Sequence, residues 1–226
     1  MAKVTELIKE KAEPMIDIIY HDEFIQGIIR GDLKKEAVVH YLRADYLYLK
    51  SFADVYAILL AKSSSIELKQ FFFEQIDFVL NGEVEAHKIL ANYAGEDYEK
   101  IVACGEWYPA ADHYIKHMYY NAYARSFAET IAAMAPCPWV YMRLAEKILE
   151  NHTLSADNPF KGWVEFYVEP FIKDLMIKLD ELVDKEAEYV DENIKKRIMK
   201  NFLESCEHER NFFKMSYDEQ KWGLEL

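Results

Sequence analysis

Glycine and proline are scarce in this chain, whose 226 residues include only 7 Gly and 6 Pro. Because turns depend heavily on these two residue types, so few of them favour long helices over many short strands. No segment alternates polar and apolar residues over the length of a strand. The sequence therefore predicts an all-α fold, with residues 1–226 forming one domain whose helices are too uneven for a simple four-helix bundle.

Cysteine and long apolar stretches are scarce as well. The 3 cysteines lack paired spacing, which is typical of reduced thiols in a cytoplasm rather than of a disulfide framework. The first residues carry Lys3 and Glu6 without an apolar region behind them, so no signal peptide is expected. No run approaches the ~18 apolar residues that span a bilayer. These absences predict a cytoplasmic protein without a membrane partner.

Positive charge is in deficit, because 27 basic residues face 40 acidic ones and the net charge is -13. No basic stripe is visible, so nucleic acid is not expected as a partner. Aromatic residues are abundant, with 16 Tyr, 13 Phe and 4 Trp. Buried tyrosine hydroxyls need hydrogen-bond partners, so these residues fit either an aromatic-lined polar site or an ordinary helical core.

Apolar periodicity and capping residues divide the chain into helices. Asp32 and Ser65 are each predicted to cap the helix that follows, and Gly82 is predicted to lie inside a continuous helix. Asn158 and Pro159 are predicted to open another long helix. The predicted helical segments are 3–20, 22–29, 33–61, 66–93, 97–103, 112–133, 138–151, 158–187 and 191–215.

Cys137 lies between two prolines, with helical patterns on both sides. Pro138 lacks an N–H and suits the first position of a helix, which places Cys137 at or just before a helix N-terminus. The unpaired amides and the helix dipole there favour a thiolate, the nucleophilic form of cysteine. The alternative is a buried, inert cysteine that behaves as a small apolar residue.

Asp45 and Tyr48 are three residues apart in one predicted helix and share a face of it. A buried carboxylate needs a partner. Asp45 is therefore either a group that hydrogen-bonds a polar ligand, with Tyr48 behind it, or the ion-pair partner of Arg43 or Lys50 at a partly wet surface. The residues alone leave both interpretations open.

Two aromatic pairs have a spacing that places their members on one helix face. Tyr141 follows Cys137 by four residues, and Tyr167 follows Trp163 by four. A tyrosine beside a cysteine can donate a hydrogen bond to the sulfur or orient a substrate. The alternative for both pairs is a mixed aromatic core.

Glu209 lies on a predicted helix that is rich in aromatic residues. Desolvation there would raise the pKa of its carboxyl group, which suits a general acid. The neighbouring residues Glu207, His208 and Arg210 favour the alternative, a solvated charged face of the helix.

Two groups of residues consist of side-chain types that can bind a metal ion. His113 and His117 are four residues apart on a predicted helix, and Glu83, Glu85 and His87 lie close together in sequence. The histidine pair has no evident third ligand, and the Glu-x-x-His pairs of di-iron bundles are absent. The sequence therefore predicts no metal site. It also has no glycine-rich phosphate loop and no Gly-x-Ser-x-Gly turn.

Five segments, taken together and in order, resemble the TenA family, the type II thiaminases or aminopyrimidine aminohydrolases. The resemblance extends over nearly the whole chain. The Pro-Cys-Pro-aromatic segment and the terminal Glu-x-x-Phe-aromatic segment are fairly specific in combination, although either alone would be weak. The matching segments are residues 41–48, 113–118, 135–141, 163–167 and 208–213.

The resemblance implies an all-helical fold like that of haem oxygenase, without haem or any other cofactor, and a homotetramer. It implies hydrolysis of 4-amino-5-aminomethyl-2-methylpyrimidine to 4-amino-5-hydroxymethyl-2-methylpyrimidine and ammonia. It also implies that the same site cleaves thiamine to hydroxymethyl-pyrimidine and the thiazole alcohol. The biological role would be salvage of the pyrimidine from degraded thiamine.

The family pattern also implies roles for individual residues. Cys137 corresponds to the nucleophile, Glu209 to the general acid, and Asp45 to the carboxylate that holds the amino group and a nitrogen of the ring. Tyr48 corresponds to the tyrosine near the cysteine. The tyrosines that line the pocket correspond to Tyr114, Tyr141 and Tyr167.

Two departures from the family pattern follow Phe212, since Phe213 stands where many relatives have Trp and Lys214 where many have Asp. Both are expected to change packing rather than activity.

The rival hypothesis is a non-catalytic pyrimidine-binding or regulatory protein on the same scaffold, which the presence of Cys137 disfavours. A third, a di-metal oxidase, is disfavoured by the missing ligand pairs.

Overall fold

The computed structural model describes residues 3–223. Within this range the chain forms α-helices and one short π-helical segment, with no strand, so the predicted all-α fold is confirmed. None of these helices is both long and apolar enough to cross a membrane. The helices are α1 (Val4–His21), α2 (Glu23–Arg30), α3 (Lys35–Lys62), α4 (Ile66–Asp77), α5 (Val84–Ala94), α6 (Tyr98–Ala103), α7 (Pro109–Ala124), α8 (Phe127–Met134), α9 (Pro136–Asn151), α10 (Lys161–Phe166), α11 (Pro170–Ala187) and α12 (Glu192–Tyr217), and the π segment is Phe78–Gly82, between α4 and α5.

Helices α3 and α12 form the centre of the fold. Helix α12 packs against α1, α3, α7, α8 and α9, and α3 also packs against α4, α5 and α7. The inward face of α3 carries buried side chains every three or four residues, namely Tyr41, Asp45, Tyr48, Phe52 and Tyr56. Full burial of a side chain such as Phe52 contributes about 1.5–3 kcal/mol. This face therefore stabilises the core and also supplies one wall of the site described below.

Two helix boundaries follow residues that the sequence identifies. The Ser65 side chain accepts a hydrogen bond from the backbone N–H of Leu68 and caps α4, as predicted. Gly31 ends α2 in the left-handed conformation, at φ 79°, which costs glycine little because it has no Cβ. The short connector helix near residues 97–103 is also confirmed, as α6.

The prediction that Asp32 caps α3 is wrong. Helix α3 begins at Lys35, with Lys34 as its N-cap residue. Asp32 instead accepts a hydrogen bond from Nε of Arg30 at 3.0 Å, so its carboxylate pairs with the last residue of the preceding helix.

Three helices that the sequence predicts as continuous are interrupted. Ser126 forms a capping box with Glu129 and begins α8 separately from α7. Pro170 occupies the first position of α11 and separates it from α10. The π segment separates α4 from α5, and a Cβ on Gly82 would lie 2.5 Å from Cδ2 of Phe78. Any larger residue at position 82 would therefore require the Phe78 ring that packs over it to move.

Helix α9 begins at Pro136 rather than at the predicted Pro138. Ala135 keeps a right-handed helical conformation, with φ −56° and ψ −30°, so α8 and α9 follow each other almost without a break. Cys137 is consequently the second residue inside α9.

Candidate active site

A pocket lies between α3, the π segment, α9 and the chain around α10 and α11. Its walls are mostly aromatic and aliphatic, and three side chains add chemistry to them: Asp45, Glu83 and Cys137. Apolar walls with a few convergent polar groups are typical of small-molecule sites. The lining residues are Tyr41, Asp45, Leu49, Phe52, Tyr56, Phe78, Val79, Glu83, Cys137, Pro138, Tyr141, Tyr167, Ile172 and Leu175.

Cys137 is half-buried and lines this pocket. The other cysteines differ from it, because Cys104 is exposed and Cys206 is buried, and neither lines the pocket. Pro136 and Pro138 place the start of α9 at the pocket wall, so the local sequence positions the Cys137 thiol. The alternative of a fully buried cysteine among apolar residues does not describe this position, because Cys137 is partly exposed and the pocket also contains carboxyl groups.

The predicted lowering of the Cys137 pKa by the helix N-terminus is wrong. Enclosure raises the pKa of the thiol well above its ordinary value, and the carboxyl groups of Glu209, Glu83 and Asp45 add to the rise, while Tyr48 opposes it. Among the described side chains that line the pocket there is no Lys or Arg to favour the anion. Chemistry at Cys137 therefore requires a group that removes its proton.

Glu209 lies on the buried face of α12, with 2% of its surface exposed. The alternative of a solvated charged face is therefore wrong for this residue. Burial raises the pKa of Glu209 to about 8, although hydrogen bonding to Tyr114 and to the Cys137 thiol acts in the opposite direction. A carboxyl group in this environment is protonated at neutral pH and can serve as an acid.

Tyr114, which the resemblance counts among the pocket-lining tyrosines, and Tyr48, which it puts near the cysteine, both lie behind the lining rather than in it. The hydroxyl of Tyr114 donates a hydrogen bond to Oε1 of Glu209 at 2.7 Å, so Tyr114 positions the carboxyl group of Glu209. Its ring lies 5.2 Å from the ring of Tyr48. The Tyr48 hydroxyl contacts Sδ of Met118 at 3.8 Å and lies near enough to Cys137 to moderate the pKa of the thiol. Tyr114 and Tyr48 therefore lie next to Glu209 and Cys137 without lining the pocket themselves.

Asp45 is buried, with 5% of its surface exposed, and lines the pocket. Its Oδ2 lies 2.8 Å from Nε2 of His87; the approach is that of an ion pair rather than of an aligned hydrogen bond. Burial acts to lower the pKa of His87, but Asp45 and Glu83 outweigh it, so the pKa is raised. The suggested partners Arg43 and Lys50 are therefore wrong, and His87 holds the carboxylate.

Tyr141 and Tyr167 form the aromatic side of the pocket. Their ring centroids are 4.8 Å apart. The Tyr141 hydroxyl lies 2.7 Å from the hydroxyl of Tyr41, which comes from α3, so one of the two hydroxyls donates a hydrogen bond to the other. Trp163 packs edge-on against Tyr167 at 5.0 Å. These contacts fix flat aromatic surfaces beside the lining carboxyl groups and the thiol.

The sequence indicates no site role for Tyr41, and it offers Glu83 and His87 only as candidate metal ligands. Both Tyr41 and Glu83 line the pocket, and His87 contacts Asp45. Part of this arrangement is visible in the sequence, because Glu83 and His87 are four residues apart and therefore share one helix face. What the sequence does not reveal is the π-helical turn that ends just before Glu83.

His113, His117 and His208 gather at one edge of α7 and α12. The His208 ring lies 4.7 Å from that of His113 and 5.1 Å from that of His117, and it stacks on Tyr114 at 5.0 Å. Burial, followed by the two neighbouring histidines, lowers the pKa of His208 to about 4. Within residues 3–223, no group of three or more His, Cys, Asp or Glu side chains is arranged to hold a metal ion.

An all-α fold with an enclosed pocket that contains a cysteine and carboxyl groups defines a class of protein with known members. The model of the TENA/THI-4/PQQC family matches residues 9–219. The chain belongs to this family, and the resemblance noted in the sequence is confirmed.

Two relatives carry the name aminopyrimidine aminohydrolase. The one from Staphylococcus saprophyticus is 48% identical over 220 residues, which are 97% of this chain and 96% of the relative. The one from Staphylococcus aureus is 42% identical over 219 residues, which are 96% and 95% of the two chains. At the level of a hydrolase enzyme, the prediction is confirmed.

Solved structures share the fold. A TenA homologue from P. horikoshii superposes with a TM-score of 0.84 at 19% identity, over 96% of this chain and 99% of that one. A domain with a heme oxygenase-like fold from Shewanella denitrificans superposes with a TM-score of 0.71 at 15% identity, over 97% and 94% of the two chains. The predicted haem-oxygenase-like architecture is therefore confirmed.

Proposed function

We propose that the chain hydrolyses 4-amino-5-aminomethyl-2-methylpyrimidine to the 5-hydroxymethyl compound and ammonia, and that the same site cleaves thiamine. The names of the two relatives support the substrate class. The observation that carries the proposal is a cysteine thiol, that of Cys137, in a pocket that also contains Asp45 and adjoins Glu209. The reaction would serve pyrimidine salvage in the cytoplasm and needs no cofactor.

Asp45 would recognise the aminopyrimidine edge. Its carboxylate is fixed by His87 and faces the pocket, so it can accept hydrogen bonds from the amino group and from a protonated ring nitrogen. Tyr141 and Tyr167 offer flat surfaces on which the ring can pack. A ligand held at its polar edge and on its face presents one orientation to Cys137.

Cys137 and Glu209 would perform the covalent step. Protonated Glu209 gives its proton to the ring and takes the proton of the Cys137 thiol, so the sulfur adds to a ring carbon while the charge of Glu209 is unchanged overall. This transfer is needed because the raised pKa of the thiol keeps its proton on the sulfur until a base removes it. Covalent addition divides a difficult displacement of an amine into easier steps. The sulfur leaves again when the product forms, and the protons return.

The direct test is to incubate the purified protein with the aminomethyl-pyrimidine and to measure ammonia and hydroxymethyl-pyrimidine together. Equal amounts of the two products are expected. Binding of the pyrimidine without turnover would contradict the proposed hydrolysis and would indicate instead a pyrimidine-binding protein on the same scaffold.

Replacing Asp45 by asparagine is expected to raise KM by about 10-fold or more, because an amide offers one acceptor where the carboxylate offers two, and hydrogen bonds to charged groups contribute about 1.5–3 kcal/mol. Steady-state kinetics of Asp45→Asn would measure this. The matched control is Asp54→Asn on the same helix, whose side chain accepts from Tyr119 at the surface. An unchanged KM in Asp45→Asn would indicate that Asp45 is structural.

The chain is expected to form a homotetramer of single-domain subunits. Exposed apolar side chains are available for such contacts and include Phe73, Tyr123 and Ile177, of which Tyr123 is 74% exposed. Light scattering coupled to size-exclusion chromatography would measure the mass in solution. A mass that corresponds to one 26.7 kDa chain would contradict this expectation.

A further inference from the structure

Glu83 is a pocket residue for which the reaction outlined above has no use. It follows the π segment directly and lines the pocket together with Asp45 and Cys137. Its side chain is half-buried. Within residues 3–223, its carboxyl group forms no hydrogen bond or ion pair with another side chain. The carboxyl group therefore lies at the pocket with its bonding capacity free.

The carboxyl groups of Asp45, Glu209 and Glu83 differ in the hydrogen-bond and ion-pair partners that they already have. Asp45 is held by His87 at 2.8 Å, and Glu209 accepts from Tyr114 at 2.7 Å. Glu83 is one helical turn before His87, and only a backbone hydrogen bond of 3.1 Å connects the two residues. Of the three, Glu83 has the carboxyl group most available to a bound molecule.

Charged and titratable groups face Glu83 from several elements. Asp45 comes from α3, Cys137 from α9 and Glu209 from α12, while His87 comes from its own helix. Burial raises the pKa of Glu83 to about 7, with His87 opposing and Asp45 adding to the rise. A carboxyl group with a pKa near the working pH can both give and take a proton.

The proposed reaction requires two proton transfers at the exocyclic carbon. The amine must receive a proton as its bond to carbon breaks, and the incoming water must lose a proton as it bonds to the same carbon. Glu209 already handles the proton of the thiol and the ring. One carboxyl group is not well placed to serve the sulfur, the ring and the leaving group at once.

We propose that Glu83 is the second acid–base residue of this site and acts at the exocyclic carbon, an inference that rests on the proposed function. Protonated Glu83 gives its proton to the departing nitrogen, which keeps the electron pair of the broken C–N bond and leaves as ammonia. The Glu83 carboxylate then takes a proton from the water whose oxygen bonds to that carbon. Glu83 returns to its protonated form, so one water is consumed and one ammonia is released.

Glu83→Gln tests this role, because glutamine keeps the shape but cannot transfer a proton. We expect kcat for the aminomethyl-pyrimidine to fall by about 10²-fold or more, with little change in KM. The matched control is Glu85→Gln on the same helix, whose carboxylate pairs with Lys88 outside the pocket; its kcat should match that of the wild type. Thermal melting of both variants checks that they fold.

The pH profile provides a second readout. Glu83 must begin each cycle protonated, so wild-type kcat should decline as the pH rises through about 7. In Glu83→Gln this decline should be lost, leaving only the later decline through about 8 that belongs to Glu209. A folded Glu83→Gln variant with near wild-type kcat, or with only KM changed, would overturn the role of Glu83. A wild-type protein without turnover would instead overturn the proposed function.

Thiamine separates the two proton transfers, because its thiazole leaves without needing a proton. If Glu83 protonates the leaving amine, Glu83→Gln should lose less activity with thiamine than with the aminomethyl-pyrimidine. Equal losses on the two substrates would overturn the leaving-group role.

Discussion

Replacing Cys137 by serine is expected to lower kcat for aminopyrimidine hydrolysis by at least about 10³-fold. A serine hydroxyl is a far weaker nucleophile than the thiolate that forms when the cysteine thiol loses its proton. Binding should survive, since the aromatic walls and Asp45 are unaltered. The measurement is steady-state turnover of Cys137→Ser, together with calorimetric titration of hydroxymethyl-pyrimidine.

The matched control for this variant is Cys104→Ser, because Cys104 is exposed and lies away from the pocket. It should retain wild-type turnover. If Cys137→Ser instead retains most of the activity while Cys104→Ser does so too, the reaction does not pass through a sulfur adduct, and water would be the nucleophile from the start.

Replacing Glu209 by glutamine is expected to lower kcat by about 10²–10⁴-fold, the range for loss of a general acid–base residue. Glutamine can still accept the hydrogen bond from Tyr114, so the site should keep its shape. Glu207→Gln is the matched control, because Glu207 is exposed two residues earlier on α12. Similar kinetics in the two variants would contradict a catalytic role for Glu209.

The same variant has an opposite effect on stability, which separates lost catalysis from lost folding. The pKa of Glu209 is raised to about 8 in the folded protein, so the folded state holds a proton that the unfolded state releases above about 4.5. Wild-type stability therefore falls as pH rises between those two values. Glu209→Gln removes the titrating group, and its Tm relative to wild type should increase over this interval and level off above pH 8.

Several features of the site follow from sequence alone. The period of apolar residues in α3 predicts that Asp45 and Tyr48 share an inward face, and both are buried there. The prolines around Cys137 predict a helix start, and α9 begins one residue before Cys137. Local rules suffice in these cases because steric exclusion and helical period act within a few residues.

Other features depend on contacts between distant segments. The partner of Asp45 is His87, which is far away in sequence, and neither residue alone indicates the other. Burial raises the pKa of Cys137, and carboxyl groups from three other segments add to the rise. Local propensity describes none of these arrangements, because each is decided by tertiary packing.

The charge of the pocket lining has a consequence for selectivity. Asp45 and Glu83 line the cavity and Glu209 adjoins it, while the described lining includes no Lys or Arg. A phosphorylated pyrimidine would bring a charge of about −1.5 to −2 into this enclosed space, where no counterion could replace its lost hydration. On the proposed function, phosphate esters are therefore expected to bind far more weakly than the dephosphorylated pyrimidine, which competition binding with the two compounds would measure.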